Sequence, residues 1–147
     1  MTVIRLTEEN VHEISSLEKL SFSKPWSRQA LIDTLKSPLT HYFGIRQEAR
    51  LVGYGGIQIV LDEGYITNIA VDPTFRKIGV GSSILYAILD YSAELSFVTL
   101  EVRAGNIAAQ KLYEKFGFTV SGIRPGYYDS PTEDAVIMTL NQAQPTL

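Results

Sequence analysis

The chain has 147 residues, of which 45% are apolar, and a formal net charge of −3, which fits one domain spanning residues 1–147 with a polar tail from 141 to 147. The lack of cysteine excludes a disulfide framework and a cysteine nucleophile, and two histidines far apart in the sequence argue against a metal site. No basic cluster favours nucleic acid, and no stretch approaches the ~20 apolar residues needed to cross a bilayer, so we expect a cytoplasmic protein that binds neither nucleic acid nor membrane.

The first part of the chain predicts a strand followed by two helices. Val3–Leu6 has strand character, and Thr7 is a suitable N-cap for the first helix. Ser27 is a suitable N-cap for the second helix, which should end at Pro38. Both helices are amphipathic, and the residues expected to face the core are Val11, Ile14, Leu17, Leu20, Leu31, Ile32 and Leu35.

The remainder predicts a three-stranded antiparallel meander, a helix, a strand, a second helix and two further strands. The complete order is β-α-α-β-β-β-α-β-α-β-β, a mixed α/β domain. Gly53, Gly55 and Gly56 inside a strand indicate a bulge or a close backbone approach. The predicted bounds are 41–46, 51–61 and 65–71 for the meander, a helix after 72–73, a strand at 97–102, a helix at 107–116 ended by Gly117, and strands from 118 and at 135–140.

The segment RKIGVGSSIL, residues 76–85, places two glycines before an apolar helix, a pattern that suits an anion because the first helical N–H groups are free. No lysine follows Gly81, as a Walker A loop requires, and Ile84 stands where a dinucleotide fingerprint has its third glycine. On these residues alone, a glycine-rich turn without a ligand is an equally good interpretation.

The surrounding residues resemble the GCN5-related N-acetyltransferase (GNAT) family. Arg76, Gly79 and Gly81 match its [RQ]-x-x-G-x-[GA] signature, and residues 106–118 match its pattern N-x-x-A-x-x-L-Y-x-x-x-G-F. The resemblance extends over almost the whole chain. It implies a mostly antiparallel twisted sheet with a splayed parallel pair at the acetyl-CoA site, flanked by about four helices.

The resemblance also implies acetyl-CoA as cosubstrate, with no metal. The strand before the glycine pair would hold the pantetheine arm, the glycine-rich turn would hold the pyrophosphate, and Asn106 would lie near the coenzyme thiol. The residues assigned to the coenzyme are Ile69, Ala70, Val71, Arg76, Lys77, Ile78, Gly79, Val80, Gly81, Ser82 and Asn106. A backbone N–H near Ile69 or Ala70 would polarise the thioester carbonyl.

Several shorter motifs are similar to the family members that acetylate the N-terminal alanine of a small-subunit ribosomal protein. They are P-W-S at 25–27, V-L-D-E at 60–63, N-I-A-V-D-P at 68–73, L-E-V-R at 100–103, I-R-x-x-Y-Y at 123–128 and E-D-A-x-I-M at 133–138. The implied acceptor is therefore the N-terminus of a ribosomal or other protein. An α-amine supplies roughly a few hundred times more neutral amine at pH 7 than lysine does, because its pKa is about 2.5 units lower.

Glu101 and Tyr113 are the candidate catalytic residues. Glu101 alternates with apolar neighbours and, from alternation alone, is as well explained as a solvent-facing glutamate. The resemblance assigns it the general base. Tyr113 lies on an apolar helix face, so the alternative is a core tyrosine with a hydrogen-bonded hydroxyl; its motif assigns it the general acid that protonates the leaving thiolate.

Trp26, Tyr127 and Tyr128 are candidate residues at the peptide entrance, with packing beneath a loop as the alternative. Pro125-Gly126 departs from the polar or basic pair that relatives often carry, which leaves the peptide preference open. A GNAT enzyme acting on a small amine or a lysine side chain, and an acyl-CoA-binding module without catalysis, are the competing functions. The sequence does not predict the oligomeric state.

Overall fold

The computed structural model describes residues 1–22 and 24–142. The predicted order of elements is confirmed, with two short 3-10 helices at Glu8–Asn10 and Pro73–Phe75 in addition. The helices are α1 (Val11–Ser21), α2 (Arg28–Lys36), α3 (Val80–Tyr91) and α4 (Ile107–Lys115). The strands are β1 (Val3–Leu6), β2 (Thr40–Gln47), β3 (Arg50–Val60), β4 (Glu63–Val71), β5 (Phe97–Arg103), β6 (Thr119–Tyr128) and β7 (Glu133–Asn141).

The seven strands form one sheet in the order β1-β2-β3-β4-β5-β7-β6. All neighbours are antiparallel except β4 and β5, which are parallel. The β4–β5 pairing covers only Glu63 to Tyr65 against Phe97 to Thr99. Both strands continue beyond that point without pairing to each other, which confirms the splayed pair.

The sheet is covered on both faces. Because strand side chains alternate between the two faces, they contribute to two apolar cores. One core lies beneath α1 and α2, and the other lies beneath α3 and α4. Leu31 in the first core and Ile84, Leu85 and Ile88 in the second are almost completely buried. This arrangement places α3 and α4 on the same face of the sheet.

The glycines of β3 let α3 lie directly on the sheet, as the sequence predicts. A Cβ on Gly53 would lie 2.5 Å from Val80 Cγ1 and 2.9 Å from Ile84 Cδ1, closer than real side chains pack. A register shift after Gly56 leaves an extra residue in β4. These positions fix the height of the α3 N-terminus above the sheet.

Two expectations about the fold are wrong. Leu20 is 59% exposed and not part of the core, because α1 ends one residue later and its last turn extends past the sheet. The polar tail does not begin at 141: Asn141 is the last residue of β7, and the Gln142 side chain donates to the carbonyl oxygens of Ser92 and Leu95. The rest of the expected tail, 143–147, lies outside the described residues.

Within the described part of the chain, no helix is long and apolar enough to cross a membrane.

Candidate active site

The gap between β4 and β5 is the centre of the candidate site. Successive residues of an antiparallel strand turn their backbone groups alternately toward and away from the partner. Ile69 pairs with Gly55 of β3 and Ala70 with Tyr54, so alternate N–H and C=O groups of residues 66–71 face the gap. The strand therefore offers free backbone partners where the sequence predicts the pantetheine arm.

The turn after β4 leads into the N-terminus of α3. Gly79, with φ +92°, is the N-cap residue of α3, and Ser83 N–H donates to its carbonyl at 3.0 Å. The N–H groups of Val80, Gly81 and Ser82 have no acceptor within the helix because they lie in its first turn. A helix beginning with free N–H groups and small residues is well suited to a pyrophosphate.

The side chains of the predicted turn residues have different surroundings. Arg76, Lys77 and Ile78 are exposed, whereas the Val80 side chain is buried in the core and leaves only its backbone available. Arg76 Nε donates to Val71 O at 3.2 Å, which ties the turn to the end of β4. The buried Asp72 caps the preceding turn through Thr74 and lies 3.3 Å from Arg50.

Asn106 is the N-cap of α4, the helix that carries Tyr113. Its Oδ1 accepts from Ala109 N–H at 3.2 Å, so the side-chain oxygen already has a structural role. Leu112 of the same helix lies 3.4 Å from the position of a Cβ on Gly81. The start of α3 thus lies close to the second turn of α4, on the same face of the sheet.

Glu101 lies in the part of β5 that has separated from β4. Leu100 and Val102 are buried in the core beneath α3 and α4, so Glu101 faces the opposite side of the sheet. Its carboxylate is half-buried and accepts from Arg124 Nη1 at 2.6 Å. Glu101 is therefore placed on the side of the sheet that carries α1 and α2.

Tyr113 lies on the opposite face of the sheet from Glu101. It is buried in the core beneath α3 and α4, with its ring 5.8 Å from Phe118. Burial first, and the nearby Tyr128 second, raise the pKa of Tyr113 to about 12. Among the described residues no hydrogen-bond partner of its hydroxyl is found, so the structure does not support a core tyrosine bonded to a protein group.

Tyr128 lies near both candidate catalytic residues. Its pKa is raised to about 12, mainly by burial and then by the charges of Glu101 and Tyr127. The rings of Tyr127 and Tyr128 meet edge-on at 5.0 Å, and Tyr127 is half-exposed. The pair thus lies close to Glu101.

The segment between α1 and α2 contacts the turn that follows Tyr128. Lys24 Nζ lies 2.9 Å from Asp129 Oδ2, in the turn that follows Tyr128. Trp26 is 37% exposed, and its backbone N–H donates to the buried Glu18 at 3.0 Å. The structure thereby brings the segment that carries Trp26 close to the turn after the two tyrosines.

The sequence alone does not predict the partners of Glu101 and Tyr128. Arg124 pairs with Glu101, and the guanidinium of Arg103 lies 4.6 Å from the centre of the Tyr128 ring. Both arginines belong to motifs noted above, L-E-V-R and I-R-x-x-Y-Y. Their contacts join β5 to β6 or to the turn after it, and no local pattern encodes those distances.

A splayed parallel pair with a helix N-terminus beside it is the arrangement of one class of enzyme, the GNAT acetyltransferases. The family model described as "Acetyltransferase (GNAT) family" matches residues 11–118. The chain therefore belongs to this family, as the motifs indicate, and is an acetyl-CoA-dependent N-acetyltransferase.

Similar proteins narrow the position within the family. The chain is 33% identical over 143 residues to the ribosomal protein bS18-alanine N-acetyltransferase of Escherichia coli K12, covering 95% of this chain and 96% of the relative. It is 35% identical over 152 residues to N-alpha-acetyltransferase RimI of Mycobacterium tuberculosis, covering 99% and 96%. A crystal structure of the ribosomal-protein-S18-alanine N-acetyltransferase from Escherichia coli superposes with a TM-score of 0.92 at 31% identity, covering 99% and 96%.

Proposed function

We propose that this protein acetylates the α-amine of the N-terminal alanine of ribosomal protein bS18 in the cytoplasm, as one domain with Glu101 as general base and Tyr113 as general acid. The observation that carries the proposal is the placement of Glu101 and Tyr113 on opposite faces of the sheet, with Glu101 in the part of β5 that has separated from β4. The names of its relatives supply the acceptor.

The residues around the gap fit acetyl-CoA. The free N–H groups of Val80, Gly81 and Ser82 would bind the pyrophosphate, and a side chain at Gly81 would meet Leu112 of α4. The exposed Arg76 and Lys77 add positive charge at the mouth of this turn. The gap-facing backbone of Ile69 to Val71 would bind the pantetheine arm. Acetyl-CoA, when bound, supplies the thioester acetyl group.

Glu101 suits the role of base because its carboxylate is half-buried and faces the acceptor side. It would accept a proton from the attacking amine as the amine nitrogen bonds to the acetyl carbon, directly or through one water. Tyr113 suits the role of acid because its raised pKa of about 12 keeps it protonated at neutral pH. Its phenol would donate a proton to the leaving thiolate.

The acceptor is tested with a peptide that begins with alanine and contains an internal lysine. We expect the purified protein to transfer one acetyl group to the free α-amine and none to the same peptide with its N-terminus blocked. Acetylation of the blocked peptide, or a preference for polyamines, would show a lysine or small-amine acceptor. Tight acetyl-CoA binding without transfer to any amine would show a non-catalytic module.

Catalysis is tested with Glu101→Gln and Tyr113→Phe, each of which should lower kcat by about 10²- to 10³-fold. Their matched controls are Glu63→Gln, at the far end of β4, and Tyr91→Phe, which bonds His41. The controls should retain kcat within about twofold. Wild-type kcat in both catalytic variants would contradict the assignment of acid and base.

A further inference from the structure

Arg103 joins the end of β5 to the turn between β6 and β7. Its Nη1 donates to Pro131 O at 2.9 Å and to Glu133 Oε1 at 3.1 Å, and its Nη2 donates to Asp129 O at 2.9 Å. The Arg103 and Glu133 side chains are only 31% and 26% exposed. A half-buried, multiply bonded guanidinium holds its geometry better than an exposed ion pair.

Glu133 extends this junction to the start of α4. Its second oxygen, Oε2, accepts from Gly105 N–H at 2.5 Å, and Gly105 directly precedes the N-cap of α4. A Cβ on Gly105 would lie 2.6 Å from the same oxygen. Residue 105 therefore has no room for a side chain while Glu133 keeps this position.

The junction meets the elements that carry Glu101, Tyr113 and Tyr128. Arg103 follows Glu101 by two residues and shares its face of β5. Its guanidinium also stacks over the Tyr128 ring at 4.6 Å, and α4 carries Tyr113.

We propose that Arg103 and Glu133 are a positioning pair that holds Tyr127 and Tyr128 in register with Glu101 for binding the acceptor peptide. The inference rests on the proposed function, because it takes this face of the sheet as the acceptor side. Neither residue touches the reacting atoms. Their effect passes through the turn at 129–131 and through the Tyr128 ring.

This role predicts that the KM for the peptide rises while the KM for acetyl-CoA does not, a difference that a general loss of stability would not produce. Arg103→Gln should raise the KM for the alanine peptide by about 10- to 100-fold, because a shift of about 1 Å in a positioning group has effects of that size. The KM for acetyl-CoA should stay within about twofold, since the turn assigned to the pyrophosphate follows β4, across the gap from Arg103 on β5. Arg103→Lys should resemble Arg103→Gln, because an ammonium cannot bond two carbonyls and a carboxylate while stacking on a ring.

Glu133→Gln tests whether the two residues act together. An amide can still accept from Gly105 N–H, but it turns an NH₂ group toward Arg103. We expect the double variant Arg103→Gln/Glu133→Gln to raise the peptide KM no more than Arg103→Gln alone, because partners in one network are not additive. Arg46→Gln is the matched control: Arg46 bonds Glu13 at 2.7 and 3.0 Å on the other edge of the sheet, and its loss should leave both KM values unchanged.

Amide hydrogen exchange provides a readout that needs no acceptor. In Arg103→Gln, the N–H of Gly105 and those of residues 126–130 should exchange at least about tenfold faster, while α3 is unchanged. An unchanged peptide KM in an active protein, or unchanged exchange at these positions, would overturn the inference. An inactive wild-type protein would instead contradict the proposed function, and the exchange result would still decide whether the junction holds the turn.

Discussion

Arg124 Nη1 lies 2.6 Å from Glu101 Oε2, although the two residues are on strands that do not pair with each other. β7 lies between them, so the arginine side chain reaches across one strand. Its guanidinium also lies 4.9 Å from the centre of the Tyr127 ring. The Arg124 guanidinium therefore pairs with the candidate base Glu101 and also stacks on the ring of Tyr127.

Removal of Arg124 should impair turnover more than stability. We expect Arg124→Gln to lower kcat by about tenfold, because the carboxylate loses the partner that orients it. An ion pair of an exposed arginine contributes little to folding, so the change in Tm should match that of Arg46→Gln. An unchanged kcat would show that the Glu101 carboxylate keeps its orientation without Arg124.

Tyr113 should remain a proton donor well into the alkaline range. Because its pKa is raised to about 12, its ionisation should not reduce kcat between about pH 7 and pH 10. A decline of wild-type kcat in this range that is absent from the residual activity of Tyr113→Phe would contradict the prediction. Measurement of both profiles at saturating acetyl-CoA decides it.

The same raised pKa makes folding sensitive to alkali. A tyrosine in the unfolded chain ionises near pH 10, so stability is intact below about pH 10 and is lost progressively toward about pH 12. The rise in the pKa of Tyr113 corresponds to an alkaline loss of stability on the order of 2–3 kcal/mol. Urea unfolding should therefore show a smaller alkaline loss in Tyr113→Phe than in wild type.

Gly53 links packing to coenzyme binding. In Gly53→Ala the new Cβ would lie 2.5 Å from Val80 Cγ1, and α3 must move away from the sheet. We expect a loss of about 1–3 kcal/mol in the free energy of unfolding and weaker acetyl-CoA binding, since Val80 begins α3. Gly122→Ala, whose Cβ would meet only Ile137 at 3.4 Å, is the control and should retain acetyl-CoA affinity; equal affinities in the two variants would contradict the link.

Glu18 is completely buried and joins α1 to the sheet and to the segment before α2. Its carboxylate accepts from the Tyr54 hydroxyl, from Asn68 Nδ2 at 3.0 Å and from the Trp26 backbone N–H at 3.0 Å. Glu18→Ala leaves three donors without this acceptor, so we expect a loss of at least about 3 kcal/mol in urea unfolding. The exposed Glu9→Ala should change stability by less than about 0.5 kcal/mol, and a similarly small effect at Glu18 would contradict the prediction.

The order of the elements could be predicted because each one carries its own signal. Apolar alternation marks the strands, and Ser27 and Gly117 mark helix ends by their local chemistry. Thr7, expected to cap α1, instead caps the 3-10 helix at Glu8–Asn10, and Asn10 is the N-cap of α1. The prediction was wrong for Leu20, which continues the apolar stripe of α1 beyond the edge of the core, and for Asn141, whose polar side chain does not prevent its backbone from extending β7.

The candidate site could be predicted only where a motif is contiguous. The glycine turn and the segment around Tyr113 are such motifs, and they indicate the coenzyme side. The acceptor side depends on pairings between distant strands, which place Arg124 on Glu101, and on the ion pair between Lys24 and Asp129. Hydrophobic periodicity contains no information about these contacts.

The central claim is tested most directly by mass spectrometry of ribosomal protein bS18 from cells with and without the gene for this protein. The account predicts that the N-terminal alanine of bS18 is acetylated in the parent strain and lacks the acetyl group in the deletion strain. Restoration by the wild-type gene, but not by the Glu101→Gln variant, should follow. An N-terminus of bS18 that is equally acetylated in both strains would contradict the account.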